Sequence, residues 1–126
     1  MPSAPIRLAG KARSIVAPQS RKNLSRGDVM SSGQGSVSNN EKGGHEVYRG
    51  SKAALNQYMR SYAARHAGEP RALVLMAPGR IRTELGGPNA PVSVEEAIPK
   101  VVDVLLSQRG KPGLQYLDRE GHTVAW

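Results

Sequence analysis

Apolar positions fall along this chain with several distinct periods. Between Glu46 and His66, Leu55, Tyr58, Met59, Tyr62 and Ala63 recur at helical spacing, with Arg49, Arg60 and Arg65 largely off that stripe. This pattern predicts an amphipathic helix, and Gly68 and Pro70 stop it. Residues 72 to 77, Ala-Leu-Val-Leu-Met-Ala, form a continuous apolar run between Pro70 and Pro78. Such a run suits a strand buried on both faces of a parallel sheet. Ser93 precedes Glu96 by three residues, the spacing of a capping box for a helix from about Val94 to Gln108. Pro99 would sit inside that helix and remove one backbone donor. Gly110, Pro112 and Gly113 break the chain before Leu114 to Leu117, which reads as a final short strand.

The N-terminal part is less regular. Ile6, Leu8, Ala9, Ala12, Ile15 and Val16 lie at roughly helical spacing with Arg7, Lys11 and Arg13 between them. They predict a weak helix over residues 4 to 17, ended by Pro18. Residues 18 to 27 have loop composition. Only Val29 and Met30 are apolar just ahead of Ser31, so a strand delivering the chain into that serine is expected to be short or poorly formed. Residues 33 to 45 are rich in Gly, Ser and Asn and read as a loop. The order β, α, β, α, β predicts a three-stranded parallel core joined by right-handed crossovers.

Composition narrows the class. A length of 126 residues predicts one domain, small for an enzyme that binds a dinucleotide. The absence of cysteine excludes disulfide and thiolate chemistry. No run approaches the ~20 apolar residues of a membrane span, and the N-terminus lacks the apolar region of a signal peptide, so a cytoplasmic protein is the expectation. The formal charge of +8 raises the question of nucleic acid. Residues 1 to 30 carry six Lys/Arg against one Asp, or +5, and residues 31 to 126 carry twelve against nine, or +3. The excess is mostly N-terminal and is not interleaved with aromatic residues, which argues for a solvated basic segment over a stacking surface.

The candidate chemistry centres on Tyr48 and Lys52. Positions i and i+4 share a helix face, so the ammonium can be held near the phenol. A neighbouring cation favours a phenolate, which is what acid/base catalysis by a tyrosine requires. Spacing alone favours a packed tyrosine beside a solvated lysine, since a Tyr-x-x-x-Lys pair by itself is a weak motif. Gly33-x-Gly35 fails as a dinucleotide fingerprint because Ser38 stands where the third glycine belongs. His45, His66 and His122 lack ligand spacing, so no metal site is expected. Glu95 and Glu96 are adjacent and point to different helix faces, as capping and solvating groups do.

Three segments taken in order sharpen this: Met30-Ser31-Ser32-Gly33-Gln34-Gly35-Ser36, then Tyr48-Arg49-Gly50-Ser51-Lys52, then Ala77-Pro78-Gly79-Arg80-Ile81-Arg82-Thr83-Glu84. They resemble the C-terminal half of the short-chain dehydrogenase/reductase family, in which a serine after a strand, Tyr-x-x-x-Lys on the next helix and Pro-Gly after the following strand occur in this order. Gly86-Gly87-Pro88-Asn89-Ala90-Pro91 and Tyr116-Leu117-Asp118-Arg119-Glu120-Gly121 look like its C-factor-like subgroup. The likeness covers residues 29 to 126 well and 3 to 10 plausibly. It divides the chain into a degenerate helix and basic loop over 1–28 and a dehydrogenase-like portion over 29–126.

The resemblance implies an α/β fold, namely the C-terminal βαβαβ portion of a doubly wound parallel sheet, partial and Rossmann-like. By the same resemblance, Tyr48 exchanges a proton at the substrate oxygen, Lys52 activates it and contacts the nicotinamide ribose, and Ser32 hydrogen-bonds the substrate carbonyl. Pro78, Gly79, Ile81 and Thr83 would join Tyr48 and Lys52 in contacting NAD or NADP, and the substrate would be a small carbonyl or alcohol. The first strand and glycine-rich turn that hold the pyrophosphate have no counterpart in the chain, and Met1 falls where the family has a catalytic asparagine. Autonomous catalysis is therefore expected to be impaired. The alternative is a non-catalytic remnant or interaction module that self-associates through the helix from Tyr48 to His66, because helix faces and a sheet edge built for burial would be exposed.

Overall fold

The computed structural model describes residues 26–82 and 86–126. The helix expected over 4–17, the comparison at Met1 and the expected cofactor contact Thr83 lie outside the described residues. The elements are β1 (Arg26–Met30), a 3-10 turn (Gly33–Gly35), α1 (Glu46–Arg65), β2 (Ala72–Ala77), α2 (Val94–Ser107) and β3 (Gly113–Asp118). The strands form one parallel sheet in the order β1-β2-β3. This is the α/β, βαβαβ arrangement the hydrophobic pattern predicts.

Every residue of β2 is buried, because the central strand is covered on both faces. On one face Leu73, Leu75 and Ala77 pack with Val29, Tyr116 and the α1 residues Met59 and Tyr62. On the other, Val74 and Met76 pack with Leu117 and the α2 residues Val101 and Val104. Burial of each large aliphatic side chain of this kind contributes about 1.5–3 kcal/mol before chain entropy is counted.

Two expectations need correction. The strand before Ser31 is short, at five residues against six in β2 and β3, but it is not poorly formed, and it includes residues 26 and 27 of the expected loop. Five residues pair with β2 in unbroken parallel register from Arg26↔Ala72 to Met30↔Met76. The ladder on β2 and the packing of Val29 against α1 supply what local apolar pattern lacks. The crossovers are not both right-handed either. In a β1-β2-β3 sheet both steps move the same way, so two crossovers of one hand would leave both helices on one face. Here α1 and α2 cover opposite faces of β2, so the two connections have opposite hands and one departs from the usual rule.

The helix ends follow local chemistry. The Ser93 hydroxyl accepts from the Glu96 N–H at 3.1 Å and the Glu96 carboxylate accepts from the Ser93 N–H at 3.1 Å, completing the capping box of α2. Pro99 is accommodated in the helix on its exposed side. Beyond β3 the chain turns back: the Val124 N–H donates to the Tyr116 carbonyl at 2.8 Å, and Leu117 bridges Thr123 in antiparallel fashion. Trp126 then packs against Tyr116 with ring centroids 5.0 Å apart and the ring planes tilted by 40°. Its carbonyl accepts from the hydroxyls of Ser36 and Ser38, both at 3.2 Å. Among the described residues, no helix is long and apolar enough to cross a membrane.

Candidate active site

The carboxyl ends of parallel strands leave a crevice that α/β proteins use for ligands. Ser31 and Ser32 follow β1, Pro78 and Gly79 follow β2, and Arg119 follows β3. The Ser31 N–H donates to the Met76 carbonyl at 2.7 Å, extending the β1–β2 ladder by one rung and fixing where the chain leaves the sheet.

Ser32 then caps the 3-10 turn. Its backbone is extended and its hydroxyl oxygen accepts from the Gln34 N–H at 3.0 Å. The Ser32 O–H proton has no acceptor among the described residues. Gly35, the next buried position, seats this turn on α1, since a Cβ there would stand 2.9 Å from both the carbonyl carbon and the Cβ of Lys52. The absent side chain of Gly35 thus permits the backbone contact that brings the serine turn onto the helix.

On that helix the Lys52 ammonium lies 5.7 Å from the centroid of the Tyr48 ring, within cation–π range. Tyr48 is in the first turn and 40% exposed. The entry to the helix is set by consecutive left-handed residues Gly43, Gly44 and His45. Arg49 ties this entry down, donating from Nε to the Gly44 carbonyl at 2.9 Å and from Nη2 to the Gly43 carbonyl at 3.2 Å. The structure thus brings the Ser32 turn onto the Lys52 segment. No hydrogen bond links Ser32 to Tyr48 among the described residues.

Pro78 and Gly79 form a turn with Gly79 at φ +79. Arg119 closes over it, donating from Nη1 to the Pro78 carbonyl at 2.6 Å, and a side chain at residue 79 would run into that guanidinium. Ile81 bridges Val92, and the Arg82 N–H donates to the Val92 carbonyl at 2.8 Å. These contacts hold the segment after β2 against the segment that leads into α2.

Sequence reasoning missed a buried polar group behind Ser32. The Ser31 hydroxyl donates to the Asn56 Oδ1 at 2.6 Å, and both residues are buried. The Tyr116 hydroxyl donates to the Ser32 carbonyl. Burial raises the Tyr116 phenol above its ordinary value, partly opposed by the facing amide of Asn56. One signal was available: Asn56 follows Lys52 by four residues and Tyr48 by eight, which places a polar residue within the apolar stripe of α1.

No family model matches the chain. Among curated proteins, C-signal of Myxococcus xanthus is 32% identical over 97 residues, covering 77% of this chain and 58% of that protein. A Burkholderia multivorans structure described as a short-chain dehydrogenase/reductase with bound NADP superimposes with a TM-score of 0.81 at 55% identity. The match covers 98% of this chain and 51% of that one. This chain resembles the C-terminal part of short-chain dehydrogenase/reductases. A carbonyl reductase of Pseudomonas aeruginosa PAO1 in complex with NADP also matches, with a TM-score of 0.73 at 33% identity, over 98% of this chain and 51% of its own. The chain therefore spans about half the length of these dehydrogenase/reductase structures.

Proposed function

We propose that the chain carries the proton-transfer part of an NAD(P)-dependent oxidoreductase site for a small carbonyl or alcohol. The observation that carries this reading is the seating of the Ser32 turn on the Lys52 segment of α1 through Gly35. The likeness to dehydrogenase/reductase structures that hold NADP supports the cofactor class.

In this reading the Ser32 O–H, whose oxygen is already oriented by the Gln34 N–H, donates to the substrate carbonyl oxygen. The Tyr48 hydroxyl gives a proton to that oxygen in reduction and takes it back in oxidation. Lys52 stabilises the negative charge left on the phenol. In this reading the nicotinamide end of the cofactor would meet Lys52, half-buried beside Tyr48, and Pro78, Gly79 and Ile81 in the segment that follows β2. The described residues offer no glycine-rich strand-to-helix turn for a pyrophosphate, since the turn after β1 is a short 3-10 turn whose Gly35 is committed to packing on α1. When bound, the nicotinamide would supply or accept the hydride.

Calorimetric titration with NADPH and NADH, followed by NADPH oxidation with a panel of small ketones and aldehydes, tests the reading. The expected result is measurable binding and turnover, both weakened by the missing pyrophosphate turn, with the turnover lowered by a further factor of about 10²–10⁴ in Tyr48→Phe without a change in the thermal midpoint. Absence of binding by the 126-residue chain, or unchanged turnover in Tyr48→Phe, would sink it.

A specific observation favours a second reading, self-association without catalysis. On α2 the large apolar residues Val94, Ile98, Val102 and Leu106 are exposed, whereas α1 exposes Val47 and Tyr48. Exposed apolar rows of this kind mark contact surfaces. In this reading α2 contributes more of the contact than the helix from Tyr48 to His66.

A further inference from the structure

We infer that Asn56 is a positioning residue for Ser32, acting through Ser31; this rests on the role proposed for Ser32 above. Asn56 projects from α1 onto the serine turn that follows β1. Its Oδ1 accepts from the Ser31 hydroxyl at 2.6 Å, while the Tyr116 hydroxyl donates to the Ser32 carbonyl from the side of β3. The residue before Ser32 and the carbonyl of Ser32 itself are therefore tied to the helix and to β3. The peptide that presents the Ser32 hydroxyl has little freedom left to rotate.

Packing alone does not account for an asparagine here. Asn56 is 3% exposed, and its Nδ2 makes no hydrogen bond among the described residues. A buried unpaired amide opposes folding, whereas a leucine of similar volume would fill the same place without that cost. What the asparagine adds is the acceptor for Ser31. Its register supports the same conclusion, since Asn56 stands one turn beyond Lys52, and the would-be Cβ of Gly35 lies 3.0 Å from its Nδ2. The helix face that carries Tyr48 and Lys52 thus also holds the back of the serine turn.

The test uses the 126-residue chain with Asn56→Leu, Ser31→Ala and the double variant. Hydrogen exchange is followed at the Gln34 amide, whose N–H donates to the Ser32 Oγ, with the amides of β2 as reference. Asn56→Leu is expected to speed exchange at Gln34 by about tenfold, the change that corresponds to loss of one buried hydrogen bond, with β2 unaffected. Ser31→Ala should do the same, and the double variant should add nothing, because both act through one contact. Where turnover is measured, kcat should fall by a similar factor with the KM for cofactor unchanged. Unchanged Gln34 exchange in a folded Ser31→Ala chain, additive effects in the double variant, or a loss spread equally over β2 would overturn the inference. Absence of cofactor binding and turnover in the wild-type chain would instead overturn the proposed function and leave the exchange result to decide the role of Asn56.

Discussion

Tyr116 shows how one side chain can serve packing and polarity together. Its ring is buried between α1 and Trp126, while its hydroxyl reaches the Ser32 carbonyl. Burial raises the phenol above its ordinary value of 10.0 against the opposing pull of Asn56. A raised folded-state value means that the folded chain holds this proton more tightly than the unfolded chain. The stability it contributes is complete below pH 10 and is lost as pH rises through the folded value. Tyr116→Phe is expected to cost about 0.5–1.5 kcal/mol at neutral pH and to flatten the alkaline limb of the stability profile. Urea titrations repeated across that range would show both effects, and an unchanged alkaline limb would contradict them. Nothing local in the sequence marks Tyr116 for this task, because its partners Ser32 and Asn56 are distant along the chain.

Element scale is where the sequence was most legible. Helix α2 starts where the Ser93–Glu96 spacing places it, with both capping hydrogen bonds formed. Ser93→Ala should therefore cost about 0.5–2 kcal/mol, visible as a lowered urea midpoint. Hydrogen bonding from Ser93, with a lesser contribution from Arg82, holds the exposed Glu96 carboxyl below its ordinary value of 4.5. A lowered folded-state value contributes stability that is present above pH 4.5 and is lost as pH falls through the folded value. Helical circular dichroism of Glu96→Gln should accordingly respond less to acid than that of the wild type. Gly35 makes the opposite point, since it reads from sequence as one more loop glycine. In the fold it is a contact that a methyl group would obstruct, with Lys52 backbone and Cβ atoms 2.9 Å away. Gly35→Ala should cost about 1–3 kcal/mol and disturb Ser32 with it; a thermal midpoint equal to wild type would refute the close approach.

For the molecule as a whole, the decisive feature is that β2 is enclosed by helices on opposite faces while the outer face of α2 stays apolar and exposed. Val94, Ile98, Val102 and Leu106 recur every four residues and so form a single ridge along the helix. Light scattering over a dilution series is expected to show association that the paired change Ile98→Lys and Val102→Glu weakens. A compact monomer at every concentration would remove the self-association reading. Cofactor titration of the same paired variant separates the two readings, since neither residue lies in the segments assigned to the oxidoreductase site.

Periodicity and turn chemistry by themselves determined α1, β2, α2 and β3, because each is specified by neighbours within a few residues. The spacing of Ser32, Tyr48, Lys52 and Pro78-Gly79 likewise determined the family resemblance. Tertiary structure decided the rest. β1 forms because β2 offers it a ladder, and α1 and α2 take opposite faces because each has its own apolar surface to bury. Ser31, Asn56 and Tyr116 become one polar group behind Ser32 only when β1, α1 and β3 meet. The physical reason is the same in each case: a ladder partner, a buried face or a hydrogen-bond acceptor contributed by a distant segment leaves no periodic trace in the residue that depends on it.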